Sequence, residues 1–167
     1  MSATVQDRPA EIYGLMVPLD KERLLVPRGC VAEVVGYQTP QEMTGAPPWH
    51  LGVIGWNGRK VPLVSFEGCC GNDVAPPGAR SRVVILNAVS GDIEAGYLAI
   101  LSQGFPQVVR ISPEFVKLDA SRSFTENSPV ACQIQLLDET PLVPDLDRLE
   151  AMVAAETEEL PDDDIQG

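Results

Sequence analysis

The chain has 167 residues, 44% of them apolar, and carries 24 acidic against 12 basic side chains for a formal net charge of −12. That length suffices for one domain or two small subdomains with real cores, and the apolar content is that of a globular chain rather than a disordered one. The charge excludes wrapping of nucleic acid and electrostatic adhesion to an anionic membrane, because both need a basic face and the pairs Arg59-Lys60 and Arg80/Arg82 are too small to supply one.

Residues 1–10 read as a flexible leader without the apolar core of a signal peptide. No later segment approaches the roughly 18–20 uninterrupted apolar residues of a membrane span. A cytoplasmic protein with no direct membrane insertion is therefore expected, and its four cysteines, Cys30, Cys69, Cys70 and Cys132, are expected to be free thiols. Strands are predicted over residues 12–17 and 23–26, with Asp20-Lys21-Glu22 turning between them and Pro27 ending the second. Cys30-Val-Ala-Glu-Val-Val35 is β-branched enough for a third strand, although its first part also suits a short helical turn. Residues 38–48 hold three prolines and a glycine and read as a loop.

The loop leads into the most informative stretch, Leu51-Gly-Val-Ile-Gly-Trp-Asn-Gly-Arg-Lys-Val-Pro-Leu-Val-Ser-Phe66. Two apolar strands flank Asn57-Gly58, the pair favoured in a type I′ turn because both residues accept positive φ. Trp56, alternating with Ile54, is expected in or at the edge of a core, while Trp49, after two prolines, is balanced between core and surface anchor.

After a stiff Pro76-Pro77-Gly78 linker, Arg82-Val-Val-Ile-Leu86 and Gly96-Tyr-Leu-Ala-Ile-Leu101 are near-continuous apolar runs, read as strands buried on both faces. Residues 106–111 follow as a strand, residues 119–128 as an exposed polar loop, and residues 131–137 alternate polar Gln133 and Gln135 with apolar neighbours, the pattern of a strand with one wet face. A short final strand is expected at residues 140–143. The only convincing helix begins after Asp145, a plausible N-cap, with Leu146, Leu149 and Val153 on one stripe. Residues 156–167 hold six of the acids and are expected to be a disordered acidic tail, leaving 18 acids against 12 bases in the body. Some nine short strands in two groups argue for an all-β fold of two small barrels, with subdomains at about 11–72 and 80–150 inside a domain spanning 11–150.

Enzyme chemistry finds little support, and no catalytic residue, metal ligand or cofactor is assigned. His50 is the only histidine, and Gly-x-Ser-x-Gly, His-Glu-x-x-His, Walker and Gly-x-Gly-x-x-Gly motifs are absent. Gly68-Cys-Cys-Gly71 lacks the Cys-x2–4-Cys spacing of zinc sites, so a small-residue turn competes with a redox or metal site and is the preferred reading.

Several segments in order resemble the CheW-like adaptor family: Val31-Ala-Glu-Val-Val-Gly-Tyr37, the Pro-containing loop through Trp49 to Gly-Val-Ile-Gly-Trp-Asn-Gly, Val61-Pro-Leu-Val64, Val83-Val-Ile-Leu86, the strand after Gly96, and Asp145-Leu-Asp-Arg-Leu149. The resemblance spans roughly residues 12–149. Leu15-Met-Val-Pro18, Leu24-Leu-Val-Pro27 and Ala32-Glu33-Val34 look more like the ChpC branch of type IV pilus (twitching) chemosensory systems than like flagellar CheW. It implies two SH3-like β-barrels packed together with a short C-terminal helix. The implied function is a non-catalytic adaptor joining a CheA-type histidine kinase to the cytoplasmic tip of a methyl-accepting chemoreceptor, the tip lying in the groove between barrels.

By position, the resemblance marks Val31, Glu33, Gly52, Asn57 and Gly58 as partner-binding, and Arg59, just beyond the turn, joins them as a nearby charge in place of the family's arginine. Two departures stand out. The family's hairpin commonly reads Asn-Leu-Arg-Gly, whose arginine position is Asn57 here, and Ser65-Phe66 replaces the acidic residue and leucine that usually close the return strand. An interaction module that binds a receptor or regulator without a kinase is the alternative, and a small-ligand or metal-binding barrel using Cys69, Cys70 and His50 the third reading.

Overall fold

The computed structural model describes residues 12–158 and contains eleven strands among them. In chain order these are β1 (Ile12–Pro18), β2 (Arg23–Pro27), β3 (Val31–Gly36), β4 (His50–Trp56), β5 (Arg59–Val64), β6 (Arg82–Asn87), β7 (Tyr97–Ser102), β8 (Gln107–Ile111), β9 (Val116–Leu118), β10 (Val130–Leu136) and β11 (Leu142–Pro144). Two helices join them, α1 (Phe66–Cys69) and α2 (Leu146–Glu158), with single 3-10 turns at Arg28–Cys30 and Pro113–Phe115. The leader and residues 159–167 lie outside the described residues, and α2 runs through the first three positions of the expected tail.

The strands form a six-stranded sheet, β8-β1-β2-β11-β10-β9, and a five-stranded sheet, β3-β6-β7-β5-β4. The sheets do not divide the chain at residues 72–80. β1 and β2 belong with the late strands, because β1 pairs antiparallel with β8 and β2 pairs parallel with β11 at Leu24–Leu142. The chain thus starts one barrel, builds the other from residues 31–102, and returns to finish the first.

Alternation along the strands explains three separate apolar clusters. In β6 and β7, Val83, Ile85, Ala99 and Leu101 point into the five-stranded barrel with Ile54, Val61 and Leu63. Their neighbours Val84, Leu86, Leu98 and Ile100 point the other way and meet Leu15, Val17, Leu24 and Val26 of the six-stranded sheet. Both runs are buried on both faces, as their continuous apolar sequence predicts. Met16, Leu25, Ile134 and Leu136 fill the second barrel.

Helix α2 seals the cluster between the sheets. Asp145 caps it through Oδ1, which accepts from the Arg148 amide at 3.1 Å, and Leu149, Val153 and Ala154 are buried against both sheets. Glu150 is buried too, and its Oε1 accepts from the Ser90 amide and hydroxyl at 3.1 and 3.0 Å, fastening the β6–β7 loop to the helix. Among the described residues no helix is long and apolar enough to cross a membrane.

Candidate functional site

The β4–β5 turn is built as its sequence requires. Asn57 and Gly58 take φ of 51° and 74°, and Trp56 stands opposite Arg59 in the ladder. Strand alternation then sends Trp56 and Arg59 to the same side as Ile54 and Val61, at one mouth of the five-stranded barrel. Tyr97 reaches that mouth from β7, and its ring meets the Trp56 ring edge-on at 4.8 Å between centroids. The Arg59 guanidinium lies 5.7 Å over the Tyr97 ring while Nη1 donates to the Ala95 carbonyl at 3.1 Å. Trp56 Nε1 donates to Glu33 Oε1 at 2.9 Å. Glu33, Trp56, Tyr97 and Arg59 therefore form one connected cluster across β3, β4, β5 and β7, with Glu33 and Arg59 exposed.

This mouth lies over a seam. β3 and β4 are the two edges of the sheet. The Gln38 amide joins them by bonding Gly55 twice, Nε2 to its carbonyl at 3.0 Å and Oε1 from its amide at 3.3 Å. The outer edge of β4 is further covered by Gln41, which exchanges backbone hydrogen bonds with Val53, both 2.9 Å long.

The residues marked from the sequence fall into distinct environments. Glu33, Asn57, Gly58 and Arg59 are exposed around the hairpin, and Val31 is half-buried against the core between the sheets. Gly52 is buried. Its φ is +134°, and a Cβ built there would lie 2.3 Å from the Gln41 carbonyl oxygen, so the chain needs glycine to let residues 40–41 cross β4. Nothing about the Gly52 position is open to a partner side chain.

A second surface emerges from the registers. Val34 faces the same way as its ladder partner Val84, and Val108 the same way as Leu15; Val84 and Leu15 both belong to the core between the sheets. Yet Val34 and Val108 remain 38% and 53% exposed, each on the edge strand of its sheet. Phe105 is 54% exposed as well, with the Arg82 guanidinium 4.2 Å over its ring. Each sheet thus leaves an apolar side chain exposed on an edge strand. Sequence reading missed them, because the pairing that puts β8 next to β1 is not visible in local periodicity.

Other candidates for chemistry resolve into packing. Cys69 is buried at the end of α1, which Ser65 caps, and Cys70 just after it is half-buried; burial pushes the Cys70 thiol up to about 11 and the Cys69 thiol further, away from thiolate chemistry. Gly68 lets this turn approach Trp49, since an added Cβ would meet the Trp49 Cβ at 2.6 Å. Trp49 is accordingly half-buried packing material. His50 is buried, neither ring nitrogen has a hydrogen-bond partner among the described residues, and burial lowers its pKa from the ordinary value, keeping it neutral. No group of three or more His, Cys, Asp or Glu among the described residues is gathered to hold a metal ion.

No curated protein matches the sequence. Among solved structures, the fold is similar to that of the scaffolding protein TtCheW from Thermoanaerobacter tengcongensis, with a TM-score of 0.68 at 14% identity over 83% of this chain and 86% of that one. The CheW-like domain family matches residues 13–151, nearly all of the described structure. The chain belongs to the CheW-like domain family.

Proposed function

We propose that the protein is a non-catalytic adaptor that couples chemoreceptors to a CheA-type histidine kinase. The carrying observation is that one exposed strand, β3, contributes to two surfaces. Glu33 stands at the barrel mouth beside the Asn57-Gly58 turn, while Val34 is exposed on the opposite face, the one that its ladder partner Val84 turns to the core between the sheets. Two surfaces on a rigid double barrel suit a part that holds two partners in fixed relation. The kinase's own CheW-like domain is assigned to the β3 and hairpin surface, and the helical receptor tip to the groove between the barrels that the family resemblance implies. Burial lowers the His50 pKa and raises those of Cys69 and Cys70, which holds these three groups away from acid-base and thiolate chemistry. The segments resembling the ChpC branch support placement in a type IV pilus chemosensory pathway.

A second reading, a module that binds a receptor or regulator without kinase, is favoured by one feature. Arg59 does not stand in for an arginine at the turn, because its guanidinium is turned onto Tyr97 and the Ala95 carbonyl. Calorimetry against the kinase's CheW-like domain and a receptor-tip fragment separates the two. The coupling reading expects both to bind, Asn57→Arg to strengthen and Glu33→Arg to weaken kinase association. Receptor binding without kinase binding by wild type or Asn57→Arg establishes the second reading instead.

A further inference from the structure

The carboxylate of Glu33 is the only charge on β3, and its position is set from outside its own strand. Its partner, Trp56 Nε1, lies across the seam between the two edge strands of the barrel. Strands paired by a ladder fix each other's side chains through backbone hydrogen bonds. β3 and β4 are not neighbours in the sheet, and the bonds recorded between β4 and the chain beyond β3 at this seam run through the Gln38 side chain. The indole N–H is thus the nearest restraint on where the Glu33 carboxylate sits.

Trp56 is itself held. Tyr97 packs against it edge to face at 4.8 Å, and Tyr97 is covered by Arg59, which the Ala95 carbonyl fixes at 3.1 Å. The β6–β7 loop carrying Ala95 is fastened in turn to α2 through Ser90 and Glu150. Indole has one N–H and no acceptor, so it occupies one carboxylate oxygen and cannot satisfy both. Among the described residues no hydrogen bond is made to Oε2, and Glu33 is exposed. The second oxygen is left facing solvent.

We infer that Trp56 is a positioning residue of the β3 docking surface: its indole N–H holds the Glu33 carboxylate so that Oε2 meets a cationic side chain of the kinase's CheW-like domain. This rests on the coupling reading above. Holding the carboxylate before the encounter removes the rotamer entropy that a free glutamate would lose on binding. It also ties the partner surface to the barrel mouth, since the same hydrogen bond bridges its edges.

The test is a double-mutant cycle of Trp56→Phe and Glu33→Gln, read by calorimetry with the kinase's CheW-like domain. Trp56→Phe keeps an aromatic ring against Tyr97 and removes only the donor; Glu33→Gln keeps an acceptor for the indole and removes the charge. Each single variant is expected to weaken binding about 10-fold, and the double variant to bind no more weakly than Glu33→Gln alone, because Trp56 acts through Glu33. A nitrogen-correlated NMR spectrum of the free protein gives a second reading. The Trp56 indole N–H signal is expected to keep its place in Glu33→Gln and to move toward the free-indole position in Glu33→Ala.

Additive losses in the cycle, unchanged binding by Trp56→Phe, or an indole signal indifferent to Glu33→Ala each overturn the inference while leaving coupling intact. Wild-type protein that does not bind the kinase domain overturns the coupling reading, and this inference with it.

Discussion

Replacing Gly52 by alanine separates a structural role from a contact role at a position the family resemblance marks as partner-binding. The new Cβ would lie 2.3 Å from the Gln41 oxygen and 2.8 Å from its carbonyl carbon, both backbone atoms with no rotamer to yield. The crossing segment must move by about 1 Å to restore ordinary contact, which forfeits the paired Gln41–Val53 hydrogen bonds. Two such bonds at about 1 kcal/mol each, with about 1–3 kcal/mol for a side chain at this φ, predict a loss of roughly 3–5 kcal/mol. At a urea slope of about 2 kcal/mol/M the denaturation midpoint falls by roughly 2 M. Amide exchange at Gln41 and Val53 should accelerate together, since one movement breaks both bonds. A Gly52→Ala variant with the wild-type midpoint and weakened partner binding would refute the reasoning and return Gly52 to the contact surface.

Gly58→Val should cost about 1–3 kcal/mol by chemical denaturation, because a β-branched residue resists the 74° φ of the turn, whereas Asn57→Arg should cost no more than about 1 kcal/mol. Leu149→Ala, which empties a fully buried site under α2, should cost about 2–5 kcal/mol, and an effect below about 1 kcal/mol would contradict the sealing role of the helix. His50 has a folded pKa below its unfolded value, so the unfolded chain binds more protons between the two. Stability attributable to His50 is therefore present above about pH 6.5 and lost as pH falls through that window. His50→Leu should flatten the acid side of the wild-type stability curve and, by removing two unpartnered nitrogens, should be at least as stable at pH 7; an unchanged acid slope would contradict this.

Much of the architecture is legible in the sequence, for identifiable reasons. Asn57-Gly58 admits few conformations, so the hairpin follows from two residues. The unbroken apolar runs around Val83 and Leu98 could only be buried on both faces, and Asp145 with Leu149 and Val153 carries both cap and stripe of α2. What the sequence hides is pairing. Nothing local in Leu24-Leu25-Val26 says that its neighbour is Leu142, more than a hundred residues on, so the interleaving of the barrels is invisible. The exposure of Val34 and Val108 on the edge strands is hidden for the same reason.

At the site, the exposed positions near the turn were readable, but the connections were not. Trp56 reads correctly as partial core, yet its bond to Glu33 depends on the closure of a barrel whose edges are 23 residues apart in sequence. Short elements also escape. Strand β9 has three residues and α1 four, too few for any period to register, and the Gly68-Cys-Cys-Gly71 turn becomes intelligible only once Trp49 is seen against Gly68.

The most direct test of the account is reconstitution of kinase control. Autophosphorylation of the CheA-type kinase is followed with clustered receptor cytoplasmic fragments, in the presence and absence of this protein. Kinase activity is expected to respond to the receptor fragments only when the protein is added, and Glu33→Arg to remove the response without unfolding the chain. Kinase activity indifferent to the protein at saturating concentration, with receptor fragments present, would contradict the coupling function.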